Sequence, residues 1–146
     1  MIVKFKRVHH EAIKPEYKTK GAACADLYAV FDDLFGYTYV YPNETAVIQT
    51  GLEVEVPEGY EMQVRARSGV AAQGVMLANG VGTIDSDYRG EVKVLLTNAS
   101  PDVVKITSGQ RIAQCCLKEV IKVEFEEVDE LSDTERGGGG LGSTGS

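Results

Sequence analysis

The stretch TAVIQTGLEVEVPEGYEMQVRAR, Thr45 to Arg67, alternates with period two and so reads as two strands joined by a tight turn. Ala46, Ile48, Thr50, Leu52, Val54 and Val56 fall on one parity, with Glu53 and Glu55 on the other. Pro57, Glu58 and Gly59 turn the chain. The return strand then sets Tyr60, Met62 and Val64 against Glu61, Gln63 and Arg65. One face of each strand belongs to a core and the other to solvent.

Working outward, the same signal predicts strands over Ile2–Arg7, Ala25–Ala29, Val81–Ile84, Glu91–Asn98, Arg111–Glu119 and Lys122–Val128. Turns are expected at Asn98–Asp102 and Thr107–Gln110. Ser68–Met76 is the one segment with a helical pattern, Ser68 serving as its N-cap. Short strands at this spacing predict an all-β subunit, a barrel or jelly roll with one short helix. Val30–Tyr41, VFDDLFGYTYVY, is rich in Phe and Tyr and reads as an inserted hairpin that packs locally.

A chain of 146 residues fits one domain and can bury a core without metal or disulfide staples. Charged residues interrupt the start, MIVKFKRVHHE, where a signal peptide needs an apolar run, so a cytoplasmic, intracellular protein is expected, with no membrane partner. Cys24, Cys115 and Cys116 lack zinc-ligand spacing and read as reduced, mostly buried thiols. A net charge of −7 argues against a nucleic-acid polymer as partner, because phosphate backbones are held by basic surfaces. A single small anion needs only a local cluster of arginines and backbone N–H groups.

After Leu131 the composition changes. The β domain is therefore expected to span 1–131, and 132–146, with six glycines and almost nothing to bury, to form a flexible C-terminal segment. Composition alone fits a linker. Arg136, Ser143 and Thr144, set among glycines whose N–H groups can approach an anion closely, fit a phosphate-wrapping lid.

Two further segments carry chemistry. ARSGVAA, Ala66–Ala72, ends a strand in Arg67 and starts a helix at Ser68 and Gly69, bringing a guanidinium, a hydroxyl and unpaired N–H groups to one place. NGVGTIDSDYRGE, Asn79–Glu91, carries Asp85 and Asp87 at a hairpin whose incoming strand contains Gly80 and Gly82, so a planar base could lie against its backbone beside Asn79. Hydrolysis of a triphosphate needs a carboxylate to activate water, with arginines and a divalent cation to take up phosphate charge. Asp26 and Asp85 are the candidate carboxylates, and without a His cluster the cation expected is Mg²⁺ held largely by phosphate and water.

In order, AACADLYA from Ala22, RSGVAA, NGVGTIDSDYRGEV, GQRIAQ and RGGGGLGSTG ending at Gly145 resemble the five motifs of the trimeric dUTP pyrophosphatase (dUTPase) family. The resemblance implies a jelly-roll-like β-clip subunit and a homotrimer with three shared active sites, each closed by the tail of a third subunit. It implies hydrolysis of dUTP to dUMP and pyrophosphate with Mg²⁺ as cofactor. By this likeness Asp85 is the general base for water attacking the α-phosphorus, and Tyr88 underlies the deoxyribose. Asn79 and the backbone at Gly82 read uracil. Arg67, Ser68, Gly69 and Gln114 hold the phosphates, and Asp26 meets Mg²⁺ through water. Arg136, Leu141, Gly142, Ser143 and Thr144 form the lid. Leu141 stands where the family usually has an aromatic residue, Ala66 replaces a usual proline and Cys24 a usual glycine.

Two other readings share these features. A dCTP deaminase has the same fold but would recognise the cytosine amine with an added Glu, and the DYRG turn with Tyr88 fits it less well. A regulatory module could keep the nucleotide pocket and act on a protein partner, for which Val30–Tyr41 is a candidate surface.

Overall fold

The computed structural model describes residues 1–140 together with Ser143. Among the described residues ten strands and one short helix follow one another. They are β1 (Lys4–Arg7), β2 (Ala25–Tyr28), β3 (Tyr37–Val40), β4 (Thr45–Glu55), β5 (Tyr60–Arg65), α1 (Ser68–Ala71), β6 (Val75–Leu77), β7 (Gly82–Ile84), β8 (Glu91–Asn98), β9 (Val104–Thr107) and β10 (Arg111–Glu119). One sheet has the order β1-β4-β8-β6, a second β2-β10-β5-β7, and β3 with β9 makes a two-stranded ribbon. Every pairing is antiparallel. The predicted jelly-roll-like all-β fold is therefore present. Among the described residues no helix is long and apolar enough to cross a membrane.

The parity read from Thr45–Val56 is the parity observed. Ile48, Thr50, Leu52, Val54 and Val56 are buried, as are Met62 and Val64 opposite the turn. Val92, Val94 and Leu96 of β8 meet them from the same sheet, and Leu27, Ile112 and Ala113 add to the core from the second sheet. β4 keeps its parity while bending, because its register with β8 shifts between Gln49 and Glu53. Gly51 sits at that bulge with φ +66°, and a Cβ there would lie 2.6 Å from the Cβ of His9. No other residue type suits both constraints.

Four expectations require correction. The helix runs only from Ser68 to Ala71, with Arg67 rather than Ser68 in the N-cap position and no side-chain cap. Gly74, at φ +79°, ends it by turning the chain into β6, where Val75–Leu77 pairs with Leu96–Asn98 instead of continuing the helix. Val30–Tyr41 is not a hairpin of its own: its second half is β3, paired with Val104–Thr107 of β9. Lys105 Nζ lies 3.8 Å from the centroid of the Tyr37 ring across that ribbon. Lys122–Val128 is not a strand, since it finds no ladder partner among the described residues, and Val123 and Phe125 are exposed.

Asn98 ties the ribbon to the first sheet. It is fully buried, and its Nδ2 donates to the Val40 carbonyl at 2.8 Å and the Asp102 carbonyl at 2.7 Å. Its Oδ1 accepts from the Ser100 amide at 2.9 Å and the Ser100 hydroxyl at 2.7 Å. Replacing it by Ala leaves buried carbonyls without a donor, so Asn98→Ala should lower stability by about 2–4 kcal/mol in chemical denaturation at fixed protomer concentration. Asn98→Asp should be worse, because it turns a carboxylate toward two carbonyl oxygens. Wild-type stability in both variants would remove Asn98 from this role.

Candidate active site

The second sheet sets out the site by its register. β10 lies between β2 and β5, so Gln114 is opposite Asp26 on one side and Arg65 on the other. Two residues beyond Arg65 the chain reaches Arg67 and the first turn of α1. Asp26, Arg67, Ser68, Gly69, Arg111 and Gln114 thereby line one cavity of about 220 Å³, together with Lys18 and Cys24.

Asp26 organises this cavity. It is 7% exposed, a burial that a carboxylate tolerates only when paired. Its Oδ1 lies 2.8 Å from Arg67 Nε, and its Oδ2 accepts a hydrogen bond from Arg111 Nη1 at 3.1 Å. Arg67 Nη1 in turn donates to the Arg111 carbonyl at 3.1 Å. Gln114 Nε2 donates to the Ala66 carbonyl at 2.8 Å, which fixes the turn that delivers Arg67 and leaves the second N–H of the carboxamide for another acceptor. One carboxylate among the two arginines leaves the cluster cationic, in a protein whose net charge is −7. It can hold an anion of several charges.

The segment expected to be an acidic hairpin is instead a link between the sheets, since β7 pairs with β5 while β8 pairs with β4 and β6. It forms a second cavity, of about 270 Å³, lined by Asn79, Gly82, Thr83, Asp85 and Tyr88 among others. β7 pairs with β5, Gly82 opposite Val64 and Ile84 opposite Met62. Gly82 is needed for close packing: a Cβ would lie 3.2 Å from the Cβ of Val64 and 3.3 Å from Asn79 Nδ2. Asp85 leaves the strand just past Ile84 and is exposed, and its carbonyl accepts from the Tyr88 amide at 3.2 Å. The Tyr88 hydroxyl donates to the Glu91 carbonyl at 3.0 Å. The ring folds over Gly90, where a Cβ would come within 2.5 Å of the Tyr88 oxygen, so the glycine sets the pose of the tyrosine. A flat apolar surface is thereby presented beside Asp85.

The predicted residues therefore collect into two groups that do not meet within the chain. Asp85 is one residue past the Ile84–Met62 pair, whereas Arg67 lies five residues beyond Met62 in the opposite direction. Those five extended residues span roughly 17 Å. Arg136 joins neither group: it is exposed, and its Nε donates to the Gly139 carbonyl at 2.9 Å. The Ser143 amide donates to the Gly140 carbonyl at 3.1 Å. Leu141, Gly142 and Thr144 of the predicted lid lie outside the described residues.

Two alternative chemistries find no support in the side chains. Burial pushes the Cys115 thiol up to about 12, and burial with a hydrogen bond to Cys116 raises that of Cys24, so neither is an activated nucleophile. Among the described residues no group of three or more His, Cys, Asp and Glu side chains could cage a metal. Both Asp26 oxygens already face guanidinium groups, but each keeps a second lone pair. That donor set suits a magnesium ion carried by phosphate oxygens and contacted through water, not one held by the protein alone.

Sequence reasoning overlooked Arg111. Its GQRIAQ context suggested a turn and a polar strand, and only the fold shows its side chain on the buried carboxylate of β2.

Comparison with known proteins gives the family. The family model described as dUTPase matches residues 10–145. A deoxyuridine 5'-triphosphate nucleotidohydrolase of Nautilia profundicola is 49% identical over 146 residues, covering 99% of each chain. The enzyme of the same name from a Hydrogenobaculum species is 48% identical, covering 96% of this chain and 95% of its own. Among solved structures, a mutant dUTPase of Staphylococcus bacteriophage 80alpha with dUpNHpp superposes with a TM-score of 0.85 at 25% identity, covering 99% of both chains. With its fold, its ordered motifs and its relatives in agreement, the chain belongs to the dUTPase family.

Proposed function

We propose that this protein hydrolyses dUTP to dUMP and pyrophosphate as a homotrimer whose active sites are shared between subunits. The observation that carries the reading is the separation of the two cavities. A general base must reach a water next to the α-phosphorus while the clamp holds the phosphates beside it. Within one chain the two stand at opposite ends of β5. A second copy that sets its Asp85 loop against the clamp of the first removes the gap, and three such contacts close a ring. Residues 120–131 support the same assembly: Ile121, Val123, Phe125 and Leu131 are exposed and unpaired in the single chain, and a neighbouring subunit would cover them.

In this reading uracil lies against the β7 backbone at Gly82 and beside Asn79, and the deoxyribose packs on Tyr88. A 2′-hydroxyl would meet that ring. Asp85 takes a proton from water as the water oxygen bonds to the α-phosphorus, and the bond from that phosphorus to the bridging oxygen breaks to release pyrophosphate. Arg67, the Ser68 hydroxyl, the N–H of Gly69 and Gln114 take up charge on the leaving phosphates. Magnesium bound to the triphosphate would be held at Asp26 through water and would neutralise phosphate charge.

The tail, 132–146, acts as the lid, with Arg136, Ser143 and Thr144 on the terminal phosphate and Leu141 and Gly142 over the base. Its self-contained turns around Arg136 are the open form. A cytoplasmic location belongs to the same reading.

With dUTP and Mg²⁺, Asp85→Asn should lower kcat by about 10³-fold with little change in KM, as expected for loss of a general base. Equal turnover in the variant, or wild-type protein that releases no pyrophosphate from dUTP, would refute the mechanism. Truncation after Glu135 should reduce turnover by about 100-fold while leaving the number of subunits in the oligomer unchanged, because only closure is lost. Undiminished turnover would make the tail a linker.

A further inference from the structure

Arg111 stands outside every role described so far, yet it touches the one buried carboxylate of the clamp. Its side chain is 44% exposed and that of Asp26 only 9%. Asp26 meets two guanidinium groups, each at a different oxygen: Arg67 Nε at 2.8 Å and Arg111 Nη1 at 3.1 Å. The sum of charge over the three side chains is therefore one positive unit, and with Arg111 removed it would be zero. Geometry changes along with charge. A carboxylate with both oxygens free accepts an arginine bidentately. Without Arg111, Asp26 can take Arg67 through both oxygens and turn the donors of its fork away from the cavity.

We infer that Arg111 is a positioning residue that occupies Asp26 so that the charge and free N–H groups of Arg67 remain available to the substrate phosphates. This deepens the proposed function and rests on the clamp being a phosphate site. Arg111 acts on Asp26 and, through it, on Arg67. The backbone supports the same coupling, because the Arg111 carbonyl accepts from Arg67 Nη1 at 3.1 Å, so β10 supplies both the counter-ion of Asp26 and a rest for the arginine it frees. The β10 register shifts between Arg111 and Ala113, and that irregularity sets Arg111 opposite Tyr28, two residues from Asp26.

The inference is tested by titration calorimetry with two probes, dUpNHpp and inorganic tripolyphosphate, in EDTA so that magnesium plays no part. Arg111→Ala should weaken both probes by about fivefold, the upper end of the scale for a partly exposed ion pair. Arg111→Lys, which keeps a charge beside Asp26, should retain most of the affinity. Two combinations separate positioning from direct contact or general loosening. Arg111→Ala with Asp26→Asn should recover most of the loss, because a neutral amide does not capture Arg67. Arg67→Ala with Arg111→Ala should bind no more weakly than Arg67→Ala alone.

Wild-type affinity in Arg111→Ala, no recovery with Asp26→Asn, additive losses in the double arginine variant, or no binding of tripolyphosphate to wild-type protein would each overturn the inference. Failure of the proposed function looks different. Tripolyphosphate would then bind and depend on Arg111, while the deoxyuridine moiety of dUpNHpp added nothing to affinity.

Discussion

The register of β10 between β2 and β5 is the constraint on which the rest of the site depends. Gln114 has Asp26 on one side and Arg65 on the other, and this double pairing puts the clamp at one end of the sheet. β5 carries β7 on its far edge, so the same sheet fixes where Asp85 emerges. A slip of one residue in either ladder would turn Asp26 or Gln114 to the opposite face and dismantle the cluster. The core holds that register. Leu27, Val64, Ile112 and Ala113 are buried from three neighbouring strands, and moving them together would expose them together.

The electrostatics follow from that frame. A protein with net charge −7 repels a polyanion at long range, so affinity for phosphates must come from a compact site where the protein's acidity is locally reversed. Asp26, buried beneath Arg67 and Arg111, gives the arginines a fixed geometry while leaving one net positive charge. Asp85, by contrast, is exposed in the single chain. In the proposed assembly the surface of a neighbouring subunit supplies both the phosphates' clamp and exclusion of water, which makes oligomerisation part of the chemistry and not only of stability.

Much of this was legible in the sequence, and the gaps have physical causes. Parity in Thr45–Arg65 was reliable because each strand has one face in the core, and the ordered motifs pointed to the residues that line the two cavities. β3 reads as half of a local hairpin, β6 falls largely within the helical pattern and β9 is not predicted, because their pairing comes from distant segments that local pattern does not reveal. Gly74 carried the sign that the helix stops early, since an αL turn there feeds a strand. Asn98 looked like an end-of-strand polar residue, whereas its four hydrogen bonds make it a core member. Lys122–Val128 carries strand-like alternation but has no partner among the described residues, so pattern alone could not place it. Arg111 was invisible for a similar reason, its carboxylate partner lying 85 residues away.

Division of the active site between subunits is tested most directly by mixing two defective proteins, Asp85→Asn and Arg67→Ala, under conditions where protomers exchange. Each retains the half that the other lacks. If the base and the clamp of one site come from different chains, random mixed trimers at equal proportions should regain about one quarter of wild-type turnover. Native mass spectrometry would establish that mixed trimers had formed. Activity that stays at the level of the two parents in such trimers would place base and clamp in the same chain and contradict the account.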